Sequence, residues 1–316
     1  MHVTVVGGYG RGISFFVDQA PHGGETRSHA RLLETHGGKG SNQAVGTARL
    51  GAPVYLVTAI ADDAGGTMGR ELWRTEHVDA TGVRVLEGST MTGAIITDAS
   101  AENRIVIADG VLGEISPADI DAVADVFTGA TVVLVSCEIA APAAGRALRL
   151  GHDAGALTIL NPAPVPDLEH IDFTCVGVLT PNQSEAALLL GLAPDDMGRP
   201  EEVVDALRAR YDVTVVMTLG DDGAVAAPRA GGILRVPAYR PSRVVDTTGA
   251  GDSFNAGLAV GLFHGLDLPD AMRLGAVCGG LAVTERGVIP ALPSRSAVVA
   301  ALLDAGEHDL AAALPD

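Results

Sequence analysis

The stretch TVVLVSCEIAAPAAGRALRLGHDAGALTIL, residues 131–160, decides the fold. Residues 131–136 form a short apolar run rich in valine, which is typical of a buried strand. A helical pattern covers 141–152, and a second apolar strand is predicted at 156–160. A strand, a helix and a strand in this order predict two parallel strands joined by a crossover helix.

The same alternation extends along the chain in both directions. Further strands are predicted at 3–7, 54–59, 176–180, 213–219, 224–227 and 233–236. Helices are predicted at 41–50 (with Ser41 as N-cap), 66–77, 117–126, 183–190, 201–210, 250–264, 269–283 and 295–305. Segments 92–98 and 104–107 predict a hairpin off the main sheet, and the tail from about 307 is expected to fray. The pattern predicts an α/β fold with a mostly parallel sheet covered on both faces, and ligands beyond the carboxyl ends of its strands.

Composition narrows the classes of function. The formal net charge is −18 and no run of Lys or Arg occurs, which argues against nucleic-acid binding. No apolar run reaches the ~20 residues that a membrane-spanning helix needs. The three cysteines have no metal-ligand spacing and are typical of buried residues in a reducing compartment. Because the amino terminus leads directly into a predicted strand, with no signal-peptide pattern, we expect a cytoplasmic protein.

A second stretch, VDTTGAGDSFNAG at 245–257, indicates the chemistry. Gly249, Ala250 and Gly251 precede Asp252 at the start of an apolar helical run. The unpaired N–H groups and aligned peptide dipoles of a helix N-terminus favour a phosphate oxygen. A carboxylate beside that phosphate accepts the proton of an attacking hydroxyl. The stretch therefore predicts phosphoryl transfer to an alcohol, although an aspartate there also serves as a simple helix cap.

Two glycine clusters resemble nucleotide motifs but fail their spacing. The cluster at 7–12 follows a strand, yet Ile13 stands where a dinucleotide fingerprint needs its third glycine. The cluster at 37–41 contains Lys39, the single lysine of the chain, but Gly40 separates it from Ser41, whereas a P-loop joins lysine directly to Ser or Thr. Both clusters are therefore interpreted as places where the backbone approaches a small ligand closely.

Five motifs in order give the chain a family resemblance. They are GGKGSNQA at 37–44, NPAP at 161–164, TPNQSEA at 180–186, TLGDDG at 218–223 and DTTGAGDSFNAG at 246–257. With these motifs, the chain resembles ribokinase and the wider PfkB-type carbohydrate kinases along nearly its whole length. The resemblance implies one kinase domain over 1–316, a three-layer α/β/α sandwich with a small β-sheet lid from about 9–36 and 90–107. It also implies ATP and Mg²⁺ as cofactors and a homodimer, to which the lid contributes in some members of the family.

The resemblance implies roles for single residues as well. Asp252 matches the catalytic base, and the anion hole matches Gly249, Ala250 and Gly251. The sugar contacts match Gly38, Lys39, Asn42 and Glu138, and the nucleotide contacts match Asn182, Thr218, Gly220 and Gly223. Glu185 matches the acid that is linked to Mg²⁺ through water, and it would also complement the dipole of its helix. A potassium loop matches Asp246, Thr248, Ala282, Glu285 and Gly287, although Ala291 replaces the serine that is usual in ribokinases.

One departure concerns the acceptor. Ribokinases carry an aspartate after the first strand that hydrogen-bonds two sugar hydroxyls; its position here is Gly12, and a neighbouring asparagine falls at Gly10. Leaving such hydroxyls unpaired costs about 1–3 kcal/mol. Either ribose is not the substrate, or another group compensates, with Tyr9, Arg11 or Asp18 as the candidates. We expect a small-sugar kinase, with two alternatives: a nucleoside kinase of the same fold, and a non-catalytic sugar-sensing protein, which would not need the intact Asp252 turn.

Overall fold

The chain is organised around two β-sheets in a computed structural model that describes residues 1–99, 103–193 and 197–314. The strands β1 to β13 are His2–Val6, Gly10–Phe16, Arg31–Gly37, Val54–Ala61, Val83–Leu86, Met91–Thr97, Asn103–Ala108, Ala130–Ser136, Leu157–Asn161, Val178–Leu179, Thr214–Thr218, Ala224–Ala227 and Leu234–Val236. The helices α1 to α11 are Lys39–Arg49, Ala64–Thr75, Pro117–Asp121, Ala141–Asp153, Gln183–Leu190, Pro200–Tyr211, Ala250–Phe263, Leu268–Ala282, Val288–Ala291, Arg295–Asp304 and His308–Ala312. None of the described helices is long and apolar enough to cross a membrane.

The larger sheet has the strand order β13-β12-β11-β10-β9-β8-β1-β4-β5 within the described residues. Neighbouring strands from β11 to β5 are parallel, whereas β12 is antiparallel to both β11 and β13. Helix α4 joins the parallel pair β8 and β9, as the stretch 131–160 predicts. The predicted α/β fold class is confirmed.

Helices cover the larger sheet on both faces because its central strands are apolar on both sides. Successive residues of β8 enter different cores: Val132 and Leu134 pack on one side, and Val133 and Val135 on the other. Helices α1, α7 and α8 contribute to the first core, and α4, α5 and α6 to the second. The molecule is therefore a three-layer sandwich of helices, sheet and helices.

The smaller sheet has the order β3-β2-β6-β7. Strand β2 pairs antiparallel with β3 and parallel with β6, and β6 pairs antiparallel with β7. The predicted hairpin at 92–98 and 104–107 corresponds to β6 and β7, and residues 100–102 between them lie outside the described part of the chain. The smaller sheet adjoins the carboxyl end of β1 and the start of α1, because β2 follows β1 directly and β3 leads into α1.

Three local predictions were wrong. Helix α1 begins at Lys39 rather than after Ser41, because the Ser41 hydroxyl accepts a hydrogen bond from the Trp73 indole instead of capping the helix. The segment predicted as one helix over 117–126 divides into α3 and a separate 3₁₀ turn, Ala124–Phe127. The tail from 307 forms α11, because Leu310 and Leu314 bury on the same side of the chain end.

The Trp73–Ser41 hydrogen bond gives a prediction about stability. The indole Nε1 donates to Ser41 Oγ at 2.8 Å, and both side chains are completely buried. Ser41→Ala leaves the indole N–H unpaired in the core, so we expect the free energy of unfolding to fall by about 1–3 kcal/mol. Urea denaturation measures it, with the exposed Ser184→Ala as control. Equal losses in the two variants would contradict this account.

Candidate active site

The carboxyl ends of the parallel strands gather polar groups at one edge of the larger sheet. Glu138 follows β8, Asn161 ends β9, and Thr180 and Asn182 follow β10. Asp252 reaches the same edge from the first turn of α7 and is only 7% exposed. The topology therefore brings residues that are far apart in the sequence into one site.

The Asp252 carboxylate lies in a cradle of side-chain amides. Asn42 Nδ2 donates to Asp252 Oδ2 at 2.8 Å, and Gln43 Nε2 donates to Oδ1 at 3.0 Å. Burial raises the pKa of Asp252, whereas Lys39 and the two amides act to lower that pKa. The carboxylate is thus a stronger base than an exposed aspartate, yet donors hold its charged form in a fixed orientation.

Further hydrogen bonds connect this cradle to the helix N-terminus. Gln43 Nε2 also donates to Asn161 Oδ1 at 3.1 Å, and Asn161 Nδ2 donates to the Thr180 carbonyl at 3.0 Å. The Thr180 hydroxyl donates to Asn255 Oδ1 at 2.6 Å, and Asn255 Nδ2 donates to the Gly251 carbonyl at 2.9 Å. The sequence motifs contain all four side chains of this chain of hydrogen bonds. The sequence alone assigned them no role, because they act through contacts between segments that are far apart in the sequence.

The turn before α7 is open to solvent and held in a strained conformation. Gly249 is the N-cap residue at φ 84°, where a side chain is strongly disfavoured, and an added Cβ would lie 2.6 Å from Val288 Cγ1. A Cβ added to Gly251 would meet no atom within 4 Å. The Ala250 N–H donates to the Thr247 carbonyl at 3.3 Å, whereas the Gly251 N–H has no backbone partner among the described residues and lies beside open space.

That space is a small cavity of about 100 Å³ beside Asp252. It is lined by Lys39, Asn182, Glu185, Gly249, Gly251 and Asp252 among others. Asn182 and Glu185 form a capping box at the start of α5, in which the Asn182 N–H donates to Glu185 Oε2 and the Glu185 N–H to Asn182 Oδ1. Burial raises the pKa of Glu185, and the nearby Asp252 adds to that effect.

A larger cavity of about 620 Å³ shares Thr218 and Gly251 with the small one. Its lining includes the predicted Gly220 and Gly223, together with Tyr239 and Phe254, which sequence reasoning did not identify. Gly223 is required for the shape of this loop, since it has φ 88° and an added Cβ would meet the Val236 carbonyl at 2.2 Å. The volume is in the range of a small-molecule site.

The residues expected to contact sugar lie around the start of α1, next to Asp252. Glu138 Oε2 accepts a hydrogen bond from the Lys39 backbone N–H, and burial raises the pKa of Glu138. Asn42 Oδ1 is buried and has no partner among the described residues, so it remains available to a ligand. Gly38 lies so close to the Gly8 carbonyl that an added Cβ would be 2.5 Å from its oxygen. Lys39 also lines the small cavity, together with Glu185, Gly249 and Gly251.

Some of the residues expected to form a potassium site lie close together in the structure. Asp246 accepts hydrogen bonds from the N–H of Thr248 at 3.0 Å and the N–H of Gly287 at 3.1 Å. Burial acts to raise the Asp246 pKa, but these hydrogen bonds outweigh it and the pKa is lowered. Ala282 ends α8 and Glu285 is exposed in the loop that follows. The described residues contain no cluster of three or more His, Cys, Asp or Glu side chains that would hold a metal ion directly.

None of the three groups suggested to compensate for Gly12 faces the site. Tyr9 is completely buried, with its ring centroid 4.9 Å from that of Trp73. Arg11 faces Glu34, at 3.9 Å, on the other side of the small sheet. Asp18 is exposed beyond the end of β2.

The comparisons with known proteins agree with this geometry. The model of the pfkB family carbohydrate kinases matches residues 7–295. The ribokinase of Schizosaccharomyces pombe is 31% identical over 307 residues, covering 93% of this chain and 95% of that protein. The ribokinase of Bacillus subtilis is 32% identical over 302 residues, covering 94% and 98%. Arabidopsis thaliana ribokinase, whose structure is a complex with ribose and ATP, has a TM-score of 0.89 at 27% identity, covering 95% of this chain and 98% of that one.

The fold and the site first define a class, the phosphoryl-transfer enzymes of ribokinase-like fold. The family match over most of the chain then gives the identification: this protein belongs to the pfkB family and is a carbohydrate kinase. The resemblance inferred from the five sequence motifs is confirmed.

Asp252 makes the stability of the protein depend on pH. Because burial raises its pKa in the folded state, that state binds more protons than the unfolded chain between the two pKa values, and stability falls as pH rises through this window. We therefore expect Asp252→Asn to be more stable than the wild type at about pH 8, with the difference shrinking toward about pH 4. The variant keeps its hydrogen bonds, because Asn42 can turn its unpartnered Oδ1 toward the new amide.

Chemical denaturation over this pH range measures the effect. Asp172→Asn is a control of opposite sign, because hydrogen bonds from Thr174 lower the pKa of Asp172 and its contribution to stability grows with pH. A stability difference between Asp252→Asn and the wild type that does not vary with pH would show that the Asp252 pKa is not raised.

Proposed function

We propose that this protein transfers the γ-phosphoryl group of ATP to a hydroxyl of a small sugar, with Asp252 as the general base. The observation that carries the proposal is the buried Asp252 carboxylate beside the open backbone turn 249–251. The hydroxyl oxygen bonds to the γ-phosphorus while the bond from that phosphorus to the β–γ bridging oxygen breaks. Asp252 takes the hydroxyl proton, and the products are a sugar phosphate and ADP.

The backbone of the turn would stabilise the charge on the transferred group. The N–H groups of Gly249, Ala250 and Gly251 lie at the positive end of the α7 dipole, which favours negative charge on the equatorial phosphoryl oxygens. Lys39 lines the same cavity and supplies a full positive charge. Because the donors are fixed before the reaction, no reorganisation is needed as the charge develops.

The larger cavity supports ATP as the donor. Its volume of about 620 Å³ and its lining by Thr218, Gly220 and Gly223 suit the base and ribose of a nucleotide. The two cavities meet at Thr218 and Gly251, so the triphosphate would run from the larger cavity into the smaller. The γ-phosphorus would then reach the turn and Asp252.

The donor chemistry of the small cavity fits Mg²⁺. Glu185 is an oxygen ligand whose pKa is raised by burial and by Asp252, so a nearby cation would relieve unfavourable charge. Mg²⁺ prefers carboxylate oxygens and keeps several waters, so Glu185 would hold it through water beside Asn182. Bound there, it would neutralise phosphate charge.

A potassium ion would bind between two loops next to α7. Asp246 already joins the Thr248 and Gly287 segments through two backbone hydrogen bonds. We place the ion between these segments, with Ala282 at the end of α8 and Glu285 on the loop that follows. Such a cation would set the position of the turn that contains the anion hole.

The sugar would occupy the side of Asp252 that faces Glu138 and the small sheet. The free Oδ1 of Asn42 and the carboxylate of Glu138 are suited to sugar hydroxyls, while Gly38 and Lys39 let the backbone approach closely. The small sheet would act as the lid of this site. It also carries exposed apolar side chains, including Leu32 at 54%, Val106 at 72% and Ile107 at 58%, which support a homodimer formed through the lid.

A small metabolite as the partner agrees with the acidic surface, and the three free, buried cysteines agree with a reducing cytoplasm. The chief alternative acceptor is a nucleoside, which would use the same base and anion hole. A non-catalytic sensor would have no need of the Asp252 cradle, so its intact geometry argues against that alternative.

Replacement of the base tests the proposal. We expect Asp252→Asn to reduce kcat by about 10²–10⁴-fold, because the hydroxyl loses its proton acceptor, while ATP binding is retained. ADP release in a coupled assay measures the first and calorimetric titration with ATP the second. Asp304→Asn, an exposed aspartate on α10, is the control and should resemble the wild type. Full activity of Asp252→Asn would eliminate the assigned base.

A further inference from the structure

Strand β2 divides its residues between the two faces of the small sheet. Tyr9 and Arg11 point to one face, where Tyr9 packs on Trp73 and contacts His36 Nδ1 at 3.2 Å. Gly10 and Gly12 share the other face. Gly8 lies just before the strand, and a Cβ added there would be 2.7 Å from the Glu138 side chain, so the connection from β1 to β2 passes beside the proposed sugar site. Because Tyr9 and Arg11 are turned toward Trp73 and Glu34, the glycine face is the one that lies toward that site.

Side chains from the neighbouring strands fill the space above these glycines. Gly12 pairs with Thr35 on β3, and an added Cβ would be 2.5 Å from Thr35 Oγ1. Gly10 pairs with Met91 on β6, and an added Cβ would be 2.2 Å from Met91 Cε. We call this surface, formed by Gly10, Gly12, Thr35 and Met91, the wall. It has a hydroxyl and a thioether where β2 itself contributes no side chain.

The Thr35 hydroxyl is available to a ligand. It is half-buried, and no group among the described residues forms a hydrogen bond with it. A hydroxyl offers one donor and two acceptor sites, so an unpartnered one at the side of a binding site has a pairing capacity that the protein does not use. Gly93, on the same face, has open space where its side chain would be.

We propose that Thr35 is a specificity-determining residue of the sugar site, an inference that rests on the proposed kinase function. Its hydroxyl binds one polar group of the acceptor, and Met91 contacts an adjacent apolar carbon. A carboxylate at Gly12 would accept hydrogen bonds from two neighbouring hydroxyls, whereas this neutral wall offers a single hydroxyl. The wall therefore selects an acceptor with one hydroxyl fewer at this end, a deoxy sugar over its fully hydroxylated analogue.

The first experiment removes the hydroxyl without changing the shape of the side chain. The probes are three matched pairs: D-ribose with 2-deoxy-D-ribose, D-glucose with 2-deoxy-D-glucose, and inosine with 2′-deoxyinosine. The wild type should have the higher kcat/KM for the deoxy member of its best pair. Thr35→Val should lower that value about tenfold through loss of one hydrogen bond. Thr92→Val is the control: Thr92 lies on β6 beside Arg11, on the opposite face, and its hydroxyl donates to the Thr90 carbonyl at 3.1 Å, so the change should have little effect on kcat/KM.

The second experiment moves the polar side chain of the wall from residue 35 to residue 12. Gly12→Asp alone should lose activity on both members of the pair, because its side chain meets Thr35 Oγ1. Gly12→Asp combined with Thr35→Ala removes that contact and should shift the kcat/KM ratio toward the fully hydroxylated acceptor by about tenfold or more. Circular dichroism checks that each variant is folded.

The outcomes separate this inference from the function on which it rests. Three results would overturn the role of Thr35 while the kinase function stands. They are an active wild type that prefers the fully hydroxylated member, a Thr35→Val variant that behaves like Thr92→Val, and a folded double variant that keeps the wild-type kcat/KM ratio. If the wild type releases no ADP with any acceptor, the kinase function fails, and the inference fails with it.

Discussion

A buried carboxylate in the first turn of a helix, held by two side-chain amides, is the interaction on which the rest of the site depends. Burial opposes the charge of Asp252, while two amide donors and Lys39 favour it. The balance gives a base of raised pKa with a fixed direction. A raised pKa also means that the charged form of Asp252 costs stability. The rest of the architecture serves to bring these groups together.

The sheet topology sets the positions of the polar side chains around Asp252. Because neighbouring parallel strands end at one edge, Glu138, Asn161 and Thr180 arrive within reach of α1 and α7. The chain of hydrogen bonds from Gln43 to the Gly251 carbonyl then connects Asp252 to the turn before α7. A change at any member of this chain would therefore disturb both Asp252 and the turn. A hydrogen-bond network of this kind holds its groups in position more firmly than the same bonds would separately.

Much of this was predictable from the sequence, and the exceptions have physical causes. Apolar runs and helical periods identified the layers because burial on both sheet faces leaves a strong pattern. The motif at 246–257 predicted a carboxylate at the start of a helix, which the structure contains, because this arrangement depends on the local backbone alone. The sequence did not identify Gln43, Tyr239 and Thr35, whose contacts join segments that are distant in the sequence. Ser41 was assigned as a cap because a local rule cannot register the Trp73 indole that uses its hydroxyl.

The most direct test of the central claim is ³¹P NMR of the wild-type protein incubated with ATP, Mg²⁺ and each of a panel of sugars and nucleosides, with and without K⁺. The account predicts that, with at least one acceptor, the γ-phosphate resonance of ATP is replaced by a phosphomonoester resonance as ADP appears in equal amount. Conversion of ATP to ADP and inorganic phosphate alone, or no change with any acceptor, would contradict it.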